Sequence, residues 1–421
     1  MADLTILHAV DTAASTSSTS VWTDSAAIAS GWIAGHDYII RAFGAFNDTS
    51  SSNEGAVRLV RGTTPTQFDD ALHQQELVGT VMKSSFGFLY RYTQPDPVET
   101  IKLQIKSNGS NTITIDYAVI LAYDVTGLTE DVDFRWNEVT ADYTTTSSMV
   151  AQATKTFTPN GTDTYAAWAF GVFDVDSITQ NHMLELHDSV VGILARRYIE
   201  GEDATNDFES GLLMAAFVPS NASHTISARF GHESTDTANV LRSAVFVLKL
   251  NIFAQFGVHR VTGDLAPAAS PTWTNSNTLS PTPTNTGNWV IEAYADFDVN
   301  SQASSSSPVD DVGIRLQVNA SGSGLASNPN YGDDAPKTEG QDADNITAFG
   351  IGTLVSLTSG AARDINLDAT AFIGNTSRLA NRTLIAHSVA LAAGAAEGQP
   401  TMRRWEGIPG MNFTNRQRGH F

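Results

Sequence analysis

One aromatic-rich segment occurs three times along this chain at almost constant spacing. The copies are YIIRAFGAF at 38–46, YAAWAFGVF at 165–173 and WVIEAYADF at 289–297. Their last residues, Phe46, Phe173 and Phe297, lie 127 and 124 positions apart. This period is the length of a small domain, whereas the repeats of solenoid proteins are far shorter. The repeat therefore restricts the chain to folds that can be built from three similar units.

The segments that follow each copy keep the same order. They lie at 56–60, 86–92, 100–105 and 117–123 in the first unit, at 183–186, 211–218, 225–230 and 243–250 in the second, and at 312–318, 351–357, 364–369 and 384–391 in the third. Most alternate apolar and polar residues and are bounded by Gly, Pro, Asn or Asp, which is typical of short strands joined by turns. The last segment of each unit is apolar on both faces, as in a strand at the centre of a sheet.

We therefore predict an all-β protein with three tandem β-sandwich or jelly-roll-like domains of the same topology. Their predicted bounds are 1–127, 128–255 and 256–397, and residues 398–421 follow as an extended C-terminal arm. A brief helix is expected at most at 67–75 and in parts of the loops.

Composition excludes several kinds of protein. Charged residues make up only 16% of the chain, and its formal net charge is −21. Such an acidic surface repels nucleic acid, so we expect no nucleic-acid partner. The chain has no cysteine, so disulfides, zinc–thiolate sites and cysteine nucleophiles are excluded. We also expect no signal peptide and no membrane-spanning segment, because no long apolar run occurs.

No motif of enzymatic chemistry is evident. The sequence lacks a Gly-X-Ser-X-Gly nucleophile elbow, a phosphate-binding loop and a dinucleotide fingerprint. His182 and His187 flank one predicted strand, but their spacing places them on opposite faces. Forty-five acidic residues leave a glycosidase-type carboxylate pair open, since such a pair is defined by its separation in space. We predict no enzymatic activity, no catalytic residues and no cofactor.

Acidic and amide side chains recur just after the anchor segments. Asp174 and Asp176 follow the second copy, and Asp298 and Asn300 follow the third. The simpler interpretation is that these side chains cap the turns they begin. The alternative is a calcium site, although a calcium ion needs six or more oxygen ligands and each loop offers only two or three.

Tryptophans in the anchor segments have two possible roles. Trp168 and Trp289 could stack on sugars, but tryptophan within a strand repeat is more often part of the core. We predict that both are buried.

The C-terminal segment differs from the acidic remainder of the chain. It combines four arginines with four large apolar residues, which makes it a candidate docking arm for another subunit or a particle surface. The alternative is a frayed terminus. The proposed contact residues are Arg403, Arg404, Trp405, Ile408, Met411, Phe413, Arg416 and Arg418.

Taken together, the lack of cysteine, the absence of a signal segment, the richness in Ser, Thr, Asn, Ala and Gly, and the tandem β units resemble virion structural proteins of tailed bacteriophages. The resemblance is to proteins of the capsid-decoration, head-fibre or tail-attached type. It implies a virion protein that assembles with copies of itself and with other virion proteins, and that stabilises the particle or displays a surface to the host. Because the edge strands of open sandwiches need cover, we also expect a symmetric homo-oligomer. A host surface glycan is a further partner to consider, and a membrane is not expected.

Two other functions stay open. Tandem β-sandwiches also form adhesins that bind a host glycan or receptor. A polysaccharide-degrading enzyme is the second alternative, because a β fold does not determine function.

Overall fold

The structure of the protein is a computed structural model. It describes residues 3–11, 16–18, 20–48, 54–76, 82–95, 99–107, 112–175, 181–200, 207–232, 237–263, 265–267, 272–299, 312–320, 330–331, 337–338, 345–371 and 378–392. In this part of the chain, no helix has the length and apolarity needed to cross a membrane.

Unit 1 contains nine strands. They are β1 (Ile6–Asp11), β2 (Thr16–Ser17), β3 (Thr23–Ile28), β4 (Asp37–Asp48), β5 (Glu54–Arg61), β6 (Thr66–Glu76), β7 (Met82–Thr93), β8 (Ile101–Ser107) and β9 (Ile113–Asp124).

Unit 2 repeats this succession and ends in a single turn of 3₁₀ helix, Leu250–Ile252. Its strands are β10 (Phe134–Val139), β11 (Tyr143–Thr144), β12 (Val150–Phe157), β13 (Tyr165–Val175), β14 (Asn181–Asp188), β15 (Gly192–Glu200), β16 (Asp207–Phe217), β17 (His224–His232) and β18 (Asn239–Lys249).

Among the described residues, unit 3 follows a similar succession, but it shows no counterpart of β2 and has two short strands in the place of β6. Its strands are β19 (Phe256–Val261), β20 (Thr274–Leu279), β21 (Gly287–Val299), β22 (Val312–Ala320), β23 (Asn330–Tyr331), β24 (Lys337–Thr338), β25 (Asn345–Leu357), β26 (Arg363–Ala371) and β27 (Arg378–Ser388).

The strand order of the sheets is the same in the three units. One sheet runs β1-β9-β4-β7 in unit 1, β10-β18-β13-β16 in unit 2 and β19-β27-β21-β25 in unit 3. The facing strands run β3-β8-β5-β6, β12-β17-β14-β15 and β20-β26-β22-β23. Two four-stranded antiparallel layers connected in this way form a jelly roll. The all-β prediction is confirmed, and the division into separate domains at 127, 255 and 397 stays a prediction.

The anchor segments form the central strands β4, β13 and β21. Each is hydrogen-bonded on both sides, for example β4 to β7 and to β9. Trp168 and Trp289 are buried, as predicted. A strand in this position is covered by protein on both faces, which explains why the segments are largely apolar.

The units share a sheet and a core. Strand β6 of unit 1 pairs with β16 of unit 2 at Gln74 and Phe208, so nine strands from both units form one sheet. Buried apolar residues of all three units also belong to one contiguous cluster. The contacts between units therefore resemble the inside of one domain more than a surface contact between domains.

The expected helix at 67–75 is wrong. These residues lie in β6, paired with β5. Asp70 adopts a positive φ of 57°, and the pairing register shifts around it. The irregularity breaks the period-two alternation, so the buried residues Phe68 and Ala71 are three positions apart, which is a helical spacing.

Candidate functional site

The three units meet at equivalent residues of their central strands. The fourth residue of each anchor segment is Arg41 in β4, Trp168 in β13 and Glu292 in β21. The Arg41 guanidinium carbon lies 4.2 Å from the centre of the Trp168 ring. Its Nη1 atom donates to Glu292 Oε2 at 2.8 Å. The Arg41 guanidinium thus contacts an aromatic ring from unit 2 and a carboxylate from unit 3.

This ion pair lies in the interior of the protein. The side chains of Arg41 and Glu292 are 0% and 2% exposed. Burial raises the pKa of Glu292, and the positive charge of Arg41 opposes that rise. Removing two charges from water costs several kcal/mol per ion, which only close pairing offsets. The Tyr123 ring, 4.4 Å from the guanidinium carbon, adds a cation–π contact.

The seam between units 1 and 3 also contains a buried tyrosine–histidine contact. Tyr123 Oη and His387 Nε2 are 2.7 Å apart, and His387 Nδ1 lies 3.0 Å from the carbonyl of Ser388. The carbonyl can only accept, so the imidazole proton is on Nδ1 and Nε2 accepts from Tyr123. Burial lowers the pKa of His387 to about 3, so the ring is neutral under ordinary conditions.

A second contact joins units 1 and 3 through the backbone. The Gly352 N–H donates to Tyr117 Oη at 3.0 Å, and the Tyr117 hydroxyl donates to the Gly352 carbonyl. One phenol thereby satisfies both polar groups of a residue in β25.

His73 joins units 1 and 2. Its Nδ1 atom accepts from the Ser210 N–H at 3.0 Å, so the proton is on Nε2, which donates to Ser84 Oγ at 2.9 Å. Burial lowers the pKa of His73 well below its usual value. Nearby, Arg197 Nη2 donates to the Ser85 carbonyl at 2.9 Å.

Asp296 joins units 2 and 3. Its Oδ2 atom accepts from the Arg196 N–H at 3.1 Å and from Asn381 Nδ2 at 2.9 Å. The side chain is fully buried, and burial raises its pKa to about 7, although the hydrogen bonds and the charge of Arg260 oppose the rise. A carboxyl group in this position exists in both protonation states near neutral pH.

The three-way contact leaves almost no free volume. Its cavity measures about 20 Å³, which is room for about one water molecule. Within the described ranges, no cluster of three or more His, Cys, Asp or Glu residues could hold a metal ion. This junction of the three units can fix their relative positions, but it cannot bind a substrate of ordinary size. The lining residues are Phe43, Phe86, Trp168, Arg197, Leu212, Met214, Glu292, Ala293, Tyr294 and Gly350.

The predicted site residues are only partly placed by the structure. Asp174 lies in β13, opposite Phe208 and Asn239. For Asp298 only the backbone, in β21, is described, and Asp176 and Asn300 lie outside the described residues. The calcium alternative stays a prediction. All eight residues proposed for the docking arm also lie outside the described part of the chain.

Sequence reasoning missed the junction of the three units. The available signal was the fourth position of the repeat, where the three copies carry a cation, an aromatic residue and an anion. Three complementary residues at one repeat position indicate that the copies contact one another there.

Comparisons with known proteins were made for sequence and for shape. No family model matches the sequence, and no curated protein matches it. One similar structure, described as the triple jelly roll fold and turret assembly in an archaeal virus, is 9% identical, covers 91% of each chain and has a TM-score of 0.19. A structure from Sulfolobus Turreted Icosahedral Virus is 11% identical over 86% of this chain and 82% of its own, with a TM-score of 0.18.

The similar structures also include a protein of a different kind. The insecticidal delta-endotoxin Cry8Ea1 from Bacillus thuringiensis is 7% identical over 56% of this chain and 60% of its own, with a TM-score of 0.21. These TM-scores are too low for any of the three to indicate a function. The jelly-roll assignment rests on the sheet order of this protein itself.

Proposed function

We propose that this protein is a structural component of a virion, of the capsid-decoration, head-fibre or tail-associated type. Its role would be to assemble on the particle, to stabilise it or to display a surface there. It would do so with copies of itself and with other virion proteins.

The observation that carries the proposal is the way the three jelly rolls are joined. A shared nine-stranded sheet, a buried ion pair and buried polar contacts at each seam hold the units together. A buried polar group that loses its partner is costly, so these contacts favour the one placement of the units in which they form. Such a body keeps a fixed shape without any disulfide, as a particle component requires.

The acidic surface supports the same role. A net charge of −21 keeps copies apart in solution until a specific contact forms. We propose that residues 398–421 supply that contact, because their arginines complement the acidic body of a neighbouring copy.

Quantitative mass spectrometry of gradient-purified particles from the source tests the proposal. The protein should copurify at a fixed copy number per particle that agrees with the particle symmetry. Immunogold labelling should place it on the particle surface. Recovery only in the soluble fraction, with no labelled particles, would overturn the proposal, and saturable binding of the free protein to host glycan would then favour the adhesin alternative.

A further inference from the structure

Three residues from two turns meet at one end of unit 2. Asp188 is the last residue of β14, and His224 is the first residue of β17. Ser220 lies in the turn between β16 and β17. The fold brings the three together because the turn between β14 and β15 and the turn between β16 and β17 lie at the same end of the jelly roll.

Their hydrogen bonds form a directed chain. His224 Nδ1 lies 2.7 and 2.9 Å from the two carboxylate oxygens of Asp188, and an ionised carboxylate can only accept. The imidazole proton is therefore on Nδ1, and the Nε2 lone pair faces Ser220 Oγ at 3.1 Å. A hydroxyl, an imidazole and a carboxylate linked in this order constitute the arrangement of a serine nucleophile with its base.

The surroundings hold the base in place and leave the hydroxyl accessible. Asp188 and His224 are both fully buried, and Asp188 Oδ1 also accepts the N–H of Val190 at 2.8 Å. Ser220 is exposed. The Ala222 N–H donates to Ser220 Oγ at 3.3 Å, which orients the hydroxyl so that its own proton can face His224 Nε2.

The jelly roll itself does not require this arrangement. At the corresponding end of unit 1, Tyr92 Oη donates to Glu99 and Arg61 Nη1 donates to Tyr92 Oη at 3.1 Å. The hydrogen-bonded side chains at these equivalent turns therefore differ between the two units.

Exposed apolar side chains flank the three residues in the chain. Four of the seven large apolar residues that are well exposed in the described ranges lie just after Asp188 or just before Ser220. They are Val190 (51%), Val191 (51%), Ile193 (42%) and Val218 (58%). An apolar acyl group would gain from contact with such a rim.

We propose that Ser220 is a nucleophile, activated by His224 and Asp188, that reacts with carboxylic esters of apolar acyl groups. Ser220 Oγ forms a bond to the ester carbonyl carbon while its proton moves to His224 Nε2. The bond between that carbon and the alkoxy oxygen then breaks, and the alcohol leaves with the proton from Nε2. Water attacks the acyl-serine in the same way, which releases the carboxylic acid and restores the Ser220 hydroxyl. This activity goes beyond the proposed structural role, and the sequence does not indicate it because no nucleophile elbow marks Ser220.

The test uses the full chain and two probes, a fluorescent alkyl fluorophosphonate and 4-nitrophenyl butyrate. At pH 8 the fluorophosphonate should label the protein once, with loss of fluoride, on the peptide that contains Ser220. The butyrate ester should be hydrolysed with the same dependence on Ser220. Ser220→Ala should abolish both reactions, and His224→Gln should slow labelling by about 10²-fold or more, as expected for a general base.

Ser223→Ala is the matched control, because Ser223 is exposed in the same turn and should label at the wild-type rate. The melting temperatures of Ser220→Ala and Ser223→Ala should equal that of the wild type, so a loss of reaction in the former reports chemistry. If His224→Gln does not fold, the comparison of the two serine variants still shows whether Ser220 is the reactive residue. An unlabelled wild type, or label that persists in Ser220→Ala, would overturn the proposal and leave the three residues as a support for the turns.

Discussion

Arg41 and Glu292 are 251 positions apart in sequence, yet their side chains form a 2.8 Å ion pair that is almost completely buried. The pair lies where the central strands of the three jelly rolls meet, with the Trp168 ring on the guanidinium. Because each residue comes from a different unit, the pair can form only when units 1 and 3 have their native arrangement.

Arg41→Met should therefore destabilise the protein by about 3–5 kcal/mol, because it leaves the carboxylate of Glu292 buried without a partner. The double variant Arg41→Met/Glu292→Leu should recover most of this loss. Urea denaturation measures both. Lys102→Ala, which breaks the partly exposed pair with Asp24, is the control and should cost at most about 1 kcal/mol. An equal loss in Lys102→Ala would contradict a special role for the buried pair.

Gly87→Ala should destabilise the seam between units 1 and 2. A Cβ atom at Gly87 would lie 2.4 Å from Leu212 Cβ and 2.9 Å from the Leu212 backbone nitrogen. Overpacking of this kind costs about 1–3 kcal/mol, and thermal denaturation should show it. Gly263→Ala is the control, since no atom lies within 4 Å of its Cβ position. In combination with Leu212→Gly, which removes that Cβ atom, Gly87→Ala should cost less than it does alone. Strict additivity of the two changes would count against direct contact.

His387 should make the protein less stable in acid. Its pKa is about 3 in the folded protein and 6.5 in the reference state, so the unfolded chain takes up a proton first as the pH falls. The stabilisation is complete above pH 6.5 and is lost towards pH 3, by up to about 1.4 kcal/mol per pH unit. His387→Gln should remove this slope, which urea denaturation between pH 7.5 and 4 would measure. An unchanged slope would mean that the ring is accessible to protons in the folded state.

Asp296 should make the protein less stable as the pH rises, which is the opposite of the effect of His387. Its pKa is raised from 3.8 to about 7, so the unfolded chain loses its proton first as the pH rises. The free energy of unfolding should fall between about pH 4 and pH 7 and stay level above that, with the same limiting slope per proton. Asp296→Asn should be as stable as the wild type near pH 4 and more stable near pH 8. A constant difference between the two proteins across this range would refute a buried, titrating Asp296.

A chain ending at Gly398 tests the docking arm. The three units should unfold at the same temperature as in the full-length protein, because the shortened chain keeps every described strand through β27. Assembly or attachment to particles should be lost, as sedimentation with particles at physiological salt would show. If the shortened chain attaches as well as the full chain, residues 398–421 have no docking role and the interpretation as a frayed terminus holds.

The sequence predicted the elements that depend on local pattern. Period-two alternation and turn residues gave the strands and the all-β class, and the position of Trp168 and Trp289 in apolar anchors predicted their burial. The strand β6 was not predicted, because the irregularity at Asp70 disguises its period. The seams were not predicted either, since contacts such as Tyr123 with His387 depend on how the units are placed. The grouping of Ser220, His224 and Asp188 could not be predicted for the same reason. These residues come from two separate turns, and their spacing in the sequence forms no recognisable motif.

The residues at the fourth position of the anchor segments distinguish this single chain from a symmetric trimer. A trimer of identical jelly rolls would have to place the same side chain three times at its axis, so an arginine there would face two more arginines. Joining three copies in one polypeptide removes that constraint, because each copy can change alone. The set of Arg41, Trp168 and Glu292 is available only where the three units differ in sequence.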